Sequence, residues 1–168
     1  MEMRKNILLV GFLILSQIMQ VNAQTHHMKA FENLVVGSWI FEGKQLGGQD
    51  GKTIHEFEWG LEGKIIKTKL YNTDLKTLEF GLRNEGIRAY NVANETIEFY
   101  EFDKHGGITY GQILIEGKDI HYDYEYQEMK LRDSWKFIDT DNYELIVGVW
   151  QDGEWKTKYH QAIFTRKK

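Results

Sequence analysis

From residue 36 onward, apolar and polar residues alternate along much of the chain with a period of two. That period is typical of β-strands that bury one face, and clusters of Asp, Asn, Glu and Gly separate the alternating stretches as tight turns do. Only one helical pattern occurs, ahead of the first strand. The alternation predicts about ten antiparallel strands, over 36–44, 52–60, 64–72, 73–91, 95–102, 108–115, 119–127, 131–138, 143–150 and 155–166.

A single ribbon of strands has two open edges unless it closes on itself. The chain has no Pro with which to protect an edge strand, and closure into a barrel removes both edges. We therefore predict an all-β fold: an antiparallel up-and-down β-barrel of about ten strands with a short N-terminal helix.

The segment 29–43 sets the start of this barrel. Apolar residues at helical spacing over 29–35 predict about two helical turns, and Gly37 stands where the helix meets the first strand. Gly supplies the backbone freedom for a sharp turn, and Trp39 is large and flat enough to close the floor of a barrel. Because the last strand of a closed barrel pairs with the first, Arg166 is the expected cation–π neighbour of Trp39.

Alternation assigns one face of four strands to the interior. The opposite faces carry polar residues that include His121, Arg132, Ser134 and His160. The expected inner wall is aromatic, with hydroxyl and imidazole tips. Its members are His55, Phe57, Trp59, Ile120, Tyr122, Tyr124, Tyr126, Leu131, Asp133, Trp135, Phe137, Trp155, Thr157, Tyr159 and Ile163.

Two strands are harder to orient. The stretch 95–102 is apolar on both faces, so its inward side stays open. The stretch 73–91 is long for one strand, and Gly81 and Gly86 within it predict bulges or a bent strand.

The first 23 residues have the composition of an export signal. Basic residues precede a nearly unbroken apolar stretch over 7–18, and small residues before Gln24 offer a cleavage site. The apolar stretch is too short to cross a bilayer comfortably. We therefore predict a signal peptide over 1–23 and a single domain over 24–168, soluble and exported to the periplasm or the extracellular space.

The composition narrows the function further. The chain has a formal net charge of −4, and a mildly acidic surface argues against nucleic acid or an anionic membrane as a partner. It contains no Cys, which excludes disulfides, thiol catalysis and Cys-based zinc sites. P-loop, dinucleotide-binding, serine-hydrolase and His-Glu-x-x-His motifs do not occur, and no cofactor is predicted.

Two sets of side chains could carry chemistry in a barrel. His55, His121 and His160 could meet as a metal site, but alternation puts the last two on the outward face, so we expect surface His and no metal. The second set could act as acid and base in lyase, isomerase or cyclase chemistry. Its members are His55, Tyr124, Tyr159, Asp133 and Arg88.

Four segments occur in an order that resembles one group of bacterial proteins: 59–64 (Trp-Gly-Leu-Glu-Gly-Lys), 85–90 (Glu-Gly-Ile-Arg-Ala-Tyr), 102–107 (Phe-Asp-Lys-His-Gly-Gly) and 155–157 (Trp-Lys-Thr). The chain resembles the DUF1579 group of exported lipocalin-like proteins over roughly 36–166. The resemblance implies a calycin-type barrel that binds a small apolar molecule. The chain lacks the disulfides and the Thr-Asp-Tyr turn of true lipocalins, and it has no clear match to the haem-ligand His of nitrobindin-like barrels.

These observations predict a barrel that binds a small, mostly apolar or aromatic molecule in its interior. Three alternatives stay open: a metal-independent lyase or isomerase, a surface interaction module, and an aromatic interior filled by its own side chains. The pattern carries no information on oligomeric state. The expected ligand-binding residues are His55, Phe57, Trp59, Tyr122, Tyr124, Trp135 and Tyr159.

Overall fold

The structure, a computed structural model, describes residues 27–45 and 48–167. The expected export signal over 1–23 and its cleavage site lie outside the described residues. Nowhere in the described ranges is there a helix long and apolar enough to span a membrane. Within them the chain forms one short 3-10 turn and ten strands. These are the turn Lys29–Phe31 and the strands β1 (Ser38–Lys44), β2 (Asp50–Gly60), β3 (Ile65–Thr73), β4 (Phe80–Asn91), β5 (Thr96–Asp103), β6 (Ile108–Glu116), β7 (Asp119–Tyr126), β8 (Met129–Asp139), β9 (Asn142–Gln151) and β10 (Glu154–Lys167).

The strands form a closed antiparallel barrel in which each strand pairs with its sequence neighbours and β10 pairs with β1. The predicted all-β, up-and-down architecture is confirmed. The stretch predicted over 73–91 is the exception among the strand bounds, because β4 begins only at Phe80. Before it, the Asp74 carboxylate accepts the backbone N–H groups of Lys76 and Thr77 and holds the chain in a turn.

Trp39 is fully buried and closes one end of the barrel. Its indole Nε1 donates to the carbonyl oxygen of Leu34 at 2.9 Å, which ties the segment before β1 to the ring. The Arg166 guanidinium lies 4.9 Å from the ring centroid and donates to the carbonyl oxygen of Asn33 at 2.8 Å. The expected cation–π contact is therefore confirmed, and the cause is the direct pairing of Trp39 with Arg166 between β1 and β10.

Gly37 allows the two ends of the chain to approach closely. Its φ of +94° is disfavoured for residues with a side chain, and a Cβ there would lie 2.5 Å from the carbonyl oxygen of Lys167. The sharp turn predicted at Gly37 is confirmed. Of the helical turns predicted over 29–35, the structure has the 3-10 turn Lys29–Phe31 and a following turn in which the N–H groups of Leu34 and Val35 both bond to the carbonyl oxygen of Phe31.

Strands β2, β7 and β8 have the inward faces that alternation predicts, with Phe57, Tyr122 and Trp135 buried in the interior. His121 and Ser134 face outward as expected. The prediction of an exposed His121 is nevertheless wrong, since its side chain is buried and its Nδ1 shares a hydrogen bond of 2.7 Å with the Ser134 hydroxyl directly opposite on β8.

Two β-bulges make the predicted faces of β10 wrong. The register of β10 against β9 shifts between Trp155 and Thr157 and again between Lys158 and His160. Each bulge adds a residue, so the side chains before it and after it no longer follow one alternation. Between the bulges Lys158 faces outward as predicted, opposite Gly148, whereas the side chains before the first bulge and after the second are reversed. Ile163, predicted inside, is consequently 55% exposed.

The same bulges reverse two further side chains. His160, predicted on the outer face, lies inside with its ring 5.5 Å from that of Phe41. Trp155, predicted inside, packs edge-on against Trp150 at 5.1 Å. Trp150 itself lies under the guanidinium of the outward-facing Arg132, so both indoles belong to the outer wall.

Trp39→Ala should lower the free energy of unfolding by about 3–5 kcal/mol, because truncating a large buried aromatic leaves a cavity. Trp155→Ala is the matched control, since this indole is only partly buried on the outer wall, and it should cost clearly less. Urea denaturation followed by far-UV circular dichroism measures both. Equal losses would show that Trp39 has no special role as the floor.

Candidate functional site

The barrel encloses a cavity of about 570 Å³ above the floor. Small-molecule sites in proteins typically measure about 300–1,000 Å³. Every strand except β1 contributes to the lining. The inward side chains therefore do not fill the interior, in contrast to the alternative of an aromatic core that only packs.

The lowest layer of the cavity is aromatic and surrounds His55. The imidazole lies 5.0 Å from the ring of Trp135, 5.3 Å from that of Phe164 and 6.2 Å from that of Phe57. It makes no hydrogen bond with any described residue. Burial, followed by repulsion from Arg88 and from His160, lowers the pKa of His55 to about 3. The imidazole is therefore neutral at physiological pH.

The middle layer contains the buried ion pair of Arg88 with Glu101. The guanidinium also donates from Nη1 to the Thr68 hydroxyl at 2.7 Å and from Nε to the Tyr122 hydroxyl at 3.5 Å. All of these partners are side chains of the barrel wall. Arg88 is thus held in one position and its charge is neutralised by Glu101.

Gly86 makes room for this ion pair. A Cβ at Gly86 would lie 2.6 Å from the Glu101 carboxyl carbon and would also collide with the Arg88 guanidinium. Gly86 is therefore not the bulge that the sequence suggested. The irregularity in this part of the sheet lies opposite the step from Leu70 to Tyr71, where β4 contributes the extra residue Arg83.

Asp133 and Tyr124 form the second polar group of the middle layer. The Tyr124 hydroxyl donates to Asp133 Oδ1 at 2.9 Å. Burial raises the pKa of Asp133 to about 7, and the nearby Glu101 adds to this effect, whereas the Tyr124 hydrogen bond and Arg88 act in the opposite direction. Burial also raises the pKa of Tyr124, so the phenol stays protonated and remains a donor.

The cavity reaches the outside at the end opposite Trp39, where its lining includes the exposed side chains of Tyr126, Met129 and Tyr159. The side wall beside the cavity has a gap in its strand pairing. β6 pairs with β7 only from Gly111 onward, so residues 108–110 and 125–126 do not pair with each other. A groove of about 670 Å³ occupies this gap. It shares Thr109, Tyr124 and Leu131 with the cavity lining, so the groove adjoins the cavity.

The structure brings most of the predicted site residues together. Trp59 is the exception among the expected ligand-binding residues. It packs half-buried against the core beside the β2–β3 turn, below the level at which the cavity begins. The others line the cavity: His55, Phe57, Tyr122, Tyr124, Trp135 and Tyr159.

The five members of the proposed acid–base set also line the cavity. Only Tyr124 and Asp133 among them share a hydrogen bond. His160 faces the interior and His121 faces outward, so the three His considered as metal ligands do not meet. Across residues 27–45 and 48–167, no cluster of three or more His, Asp or Glu side chains could hold a metal ion.

Sequence reasoning missed Glu101 and Thr68. Because β5 is apolar on both faces, the pattern does not indicate which face points inward. In the structure Phe99 and Glu101 face the interior, and Tyr100 and Phe102 are exposed. The signal that could have found Glu101 is the Gly directly opposite it on β4, because a Gly on an inward face leaves room for a neighbouring side chain.

Asp133 and His55 should affect folding stability in opposite directions as pH changes. Between the ordinary carboxyl pKa of 3.8 and about 7, the unfolded chain releases a proton that folded Asp133 keeps, so stability falls as pH rises. Between about 3 and the ordinary imidazole pKa of 6.5, the unfolded chain binds a proton that folded His55 does not, so stability rises with pH.

Single substitutions should separate these two effects. Relative to wild type, the free energy of unfolding of Asp133→Asn should increase as pH rises from about 4 to about 7. That of His55→Phe, which keeps a ring among the aromatic neighbours, should decrease between about pH 3 and 6.5. Urea denaturation across this range gives both curves, and curves parallel to wild type would place the two groups in water rather than in a closed interior.

No protein-family model matches this chain, and no curated protein matches its sequence. The function must therefore be inferred from the fold and from the cavity itself. The cavity offers an aromatic lower layer, a charged middle layer and an opening at the end opposite the floor. These three features define what it can bind.

Proposed function

We infer that this protein binds a small, mostly apolar or aromatic molecule inside the barrel. The observation that carries the inference is the cavity of about 570 Å³ that the inward faces enclose. Protein interiors pack as densely as organic crystals, with few voids larger than a water molecule. A barrel that used its aromatic side chains only as core would not leave such a space.

The lower half of the cavity supplies the apolar contact. Phe57, Phe99, Trp135 and Leu145 face the space from four different strands. Removing apolar surface from water contributes roughly 25 cal/mol per Å², and ring edges add directional contacts with a bound aromatic ring. The neutral imidazole of His55 lies among these rings and can form one hydrogen bond with a ligand, either as donor or as acceptor.

Export and membership of the lipocalin-like DUF1579 group belong to the same proposal. The closed barrel and the floor built from Gly37 and Trp39 support the likeness to this group, and the signal-like composition of residues 1–23 supports export. Two of the resembling segments, 59–64 and 102–107, coincide with the β2–β3 and β5–β6 turns, as segments that define a fold would. They support a common architecture rather than a common ligand.

Asp133 favours a second candidate function, a lyase or isomerase that works without a metal. A carboxyl with a pKa of about 7 can give and take a proton at neutral pH. The remaining members contribute less, since the lowered pKa of His55 makes it a weak base and Arg88 is engaged by Glu101 and Thr68. The catalytic set would reduce to Asp133 with Tyr124.

Binding of N-phenyl-1-naphthylamine, a neutral aromatic probe, tests the proposed function. The probe should quench Trp fluorescence with one site per chain. Trp135→Ala should weaken binding about tenfold or more through lost apolar contact, and Trp155→Ala on the outer wall should leave it unchanged. His55→Ala should change the binding free energy by about 0.5–1.5 kcal/mol at most, the contribution of one neutral hydrogen bond.

The same titration distinguishes the two candidate functions when products are analysed alongside. An enzyme should convert a bound compound, and Asp133→Asn should reduce turnover about a hundredfold while leaving its binding nearly intact. A binding protein should return every bound compound unchanged. Failure of all neutral aromatic probes to bind would contradict the proposed function.

A further inference from the structure

The middle layer of the cavity holds one Arg, one Glu and one Asp side chain, of which the Arg and the Glu neutralise each other. Arg88 and Glu101 form an ion pair whose side chains are only 7% and 18% exposed. The other donors of the guanidinium are directed at Thr68 and Tyr122 in the wall. Arg88 is therefore already occupied, and an anionic ligand would have to displace Glu101 to reach it.

Asp133 is the charge that has no opposite partner in this layer. Tyr124 donates to its Oδ1, and no described residue donates to its Oδ2. The inward residue opposite it on β9 is the apolar Val147. At the rim, Arg83 and Asp103 attract each other, so the charges there do not supply the missing cation.

A carboxyl group in such a place can avoid an uncompensated buried charge in two ways. It can hold a proton, or it can pair with a cation. Because burial raises the pKa of Asp133 to about 7, this carboxyl holds a proton in part at neutral pH. A bound cation would replace that proton.

We propose that the ligand is an aromatic amine whose ammonium group pairs with the free oxygen of Asp133 and whose ring packs against Trp135. This inference rests on the proposed function, because it names the chemical class that the same cavity takes. Asp133 and Trp135 are consecutive inward residues of β8, so one small molecule can contact both. The ring of Tyr124 on the adjacent strand can add cation–π attraction, whereas the Tyr122 ring already has the Arg88 guanidinium over it.

The other head groups fit this layer less well. A carboxylate would bring a third negative charge beside Glu101 and Asp133. A hydroxyl could donate one hydrogen bond to Asp133, but it would leave the buried charge uncompensated. The ammonium satisfies both the hydrogen bond and the charge.

The preference for an amine should depend on pH through Asp133. Between about pH 6 and pH 8 the neighbouring His55 stays neutral, because burial lowers its pKa to about 3, and burial also lowers the pKa of His160. Tyr122 and Tyr124 stay protonated, because burial raises their pKa values. The titratable groups that act on Asp133 directly are Tyr124, Glu101, Arg88 and Tyr122. The other titratable or charged residues of the lining are His55, Lys69, Arg83, Asp103, Tyr126 and Tyr159, and His160 lies beside His55.

Isothermal titration calorimetry with three indoles tests the proposal, since tryptamine, tryptophol and indole-3-acetate share one ring and differ in head group. At about pH 8, tryptamine should bind at least tenfold more tightly than tryptophol, and indole-3-acetate should bind most weakly. At about pH 6, where Asp133 is largely protonated, the preference for tryptamine should shrink severalfold.

Two variants assign the preference to one residue. Asp133→Asn should abolish the preference for tryptamine over tryptophol. Glu58→Gln is the control with the same change in net charge, because Glu58 is exposed on the outer face of β2, and it should retain the preference. If Asp133→Asn does not fold, the three wild-type titrations and their pH dependence still decide the matter.

Several outcomes would overturn the proposal. Equal affinities for tryptamine and tryptophol in the wild type, or a preference that survives in Asp133→Asn, would remove Asp133 as the head-group partner. Tightest binding of indole-3-acetate would transfer that role to Arg88. If the neutral naphthyl probe binds and tryptamine shows no advantage, only this proposal fails; if nothing aromatic binds, the proposed function fails with it.

Discussion

The whole architecture depends on the closure between β1 and β10 at Trp39. The backbone pairing there is short, three residue pairs against seven between β1 and β2. Side chains complete it, because the Trp39 indole and the Arg166 guanidinium each reach a backbone carbonyl of the segment before β1. Gly37 permits this approach. Closure at this end seals the floor and leaves the opposite end as the opening.

The interior changes from apolar to charged with distance from that floor. Rings around His55 exclude water and keep the imidazole neutral. One step higher, the Arg88–Glu101 pair and Asp133 lie inside the wall, where an ion pair recovers its desolvation only with good geometry and additional hydrogen bonds. Thr68 and Tyr122 provide these bonds, and Gly86 provides the space. A wall built only for stability would have no need of an unpaired Asp133.

The sequence predicted the barrel and most of its inner wall because alternation is strict on β2, β7 and β8. It did not predict which side chains face inward where an irregular backbone, rather than the residue types, determines the face. Lys156 and Lys158 continue a regular alternation through β10, so nothing in the residue types reveals the two bulges that turn His160 inward and Ile163 outward. Alternation also distinguishes the inner from the outer face of a strand, but it does not give the position of a side chain along the barrel axis. Trp59 faces inward as predicted, but it lies nearer the floor than the cavity does. Glu101 stayed hidden because β5 is apolar on both faces.

The chain has five Trp, and their indole N–H signals offer the most direct test that the interior is the binding site. Two-dimensional ¹H–¹⁵N spectra of the protein, assigned with single Trp→Phe variants, can be recorded while the neutral naphthyl probe is added. Binding inside the barrel predicts that the Trp135 signal shifts in proportion to saturation while those of Trp150 and Trp155 on the outer wall stay in place. Shifts confined to Trp150 and Trp155, with Trp135 unmoved at saturation, would contradict an interior site.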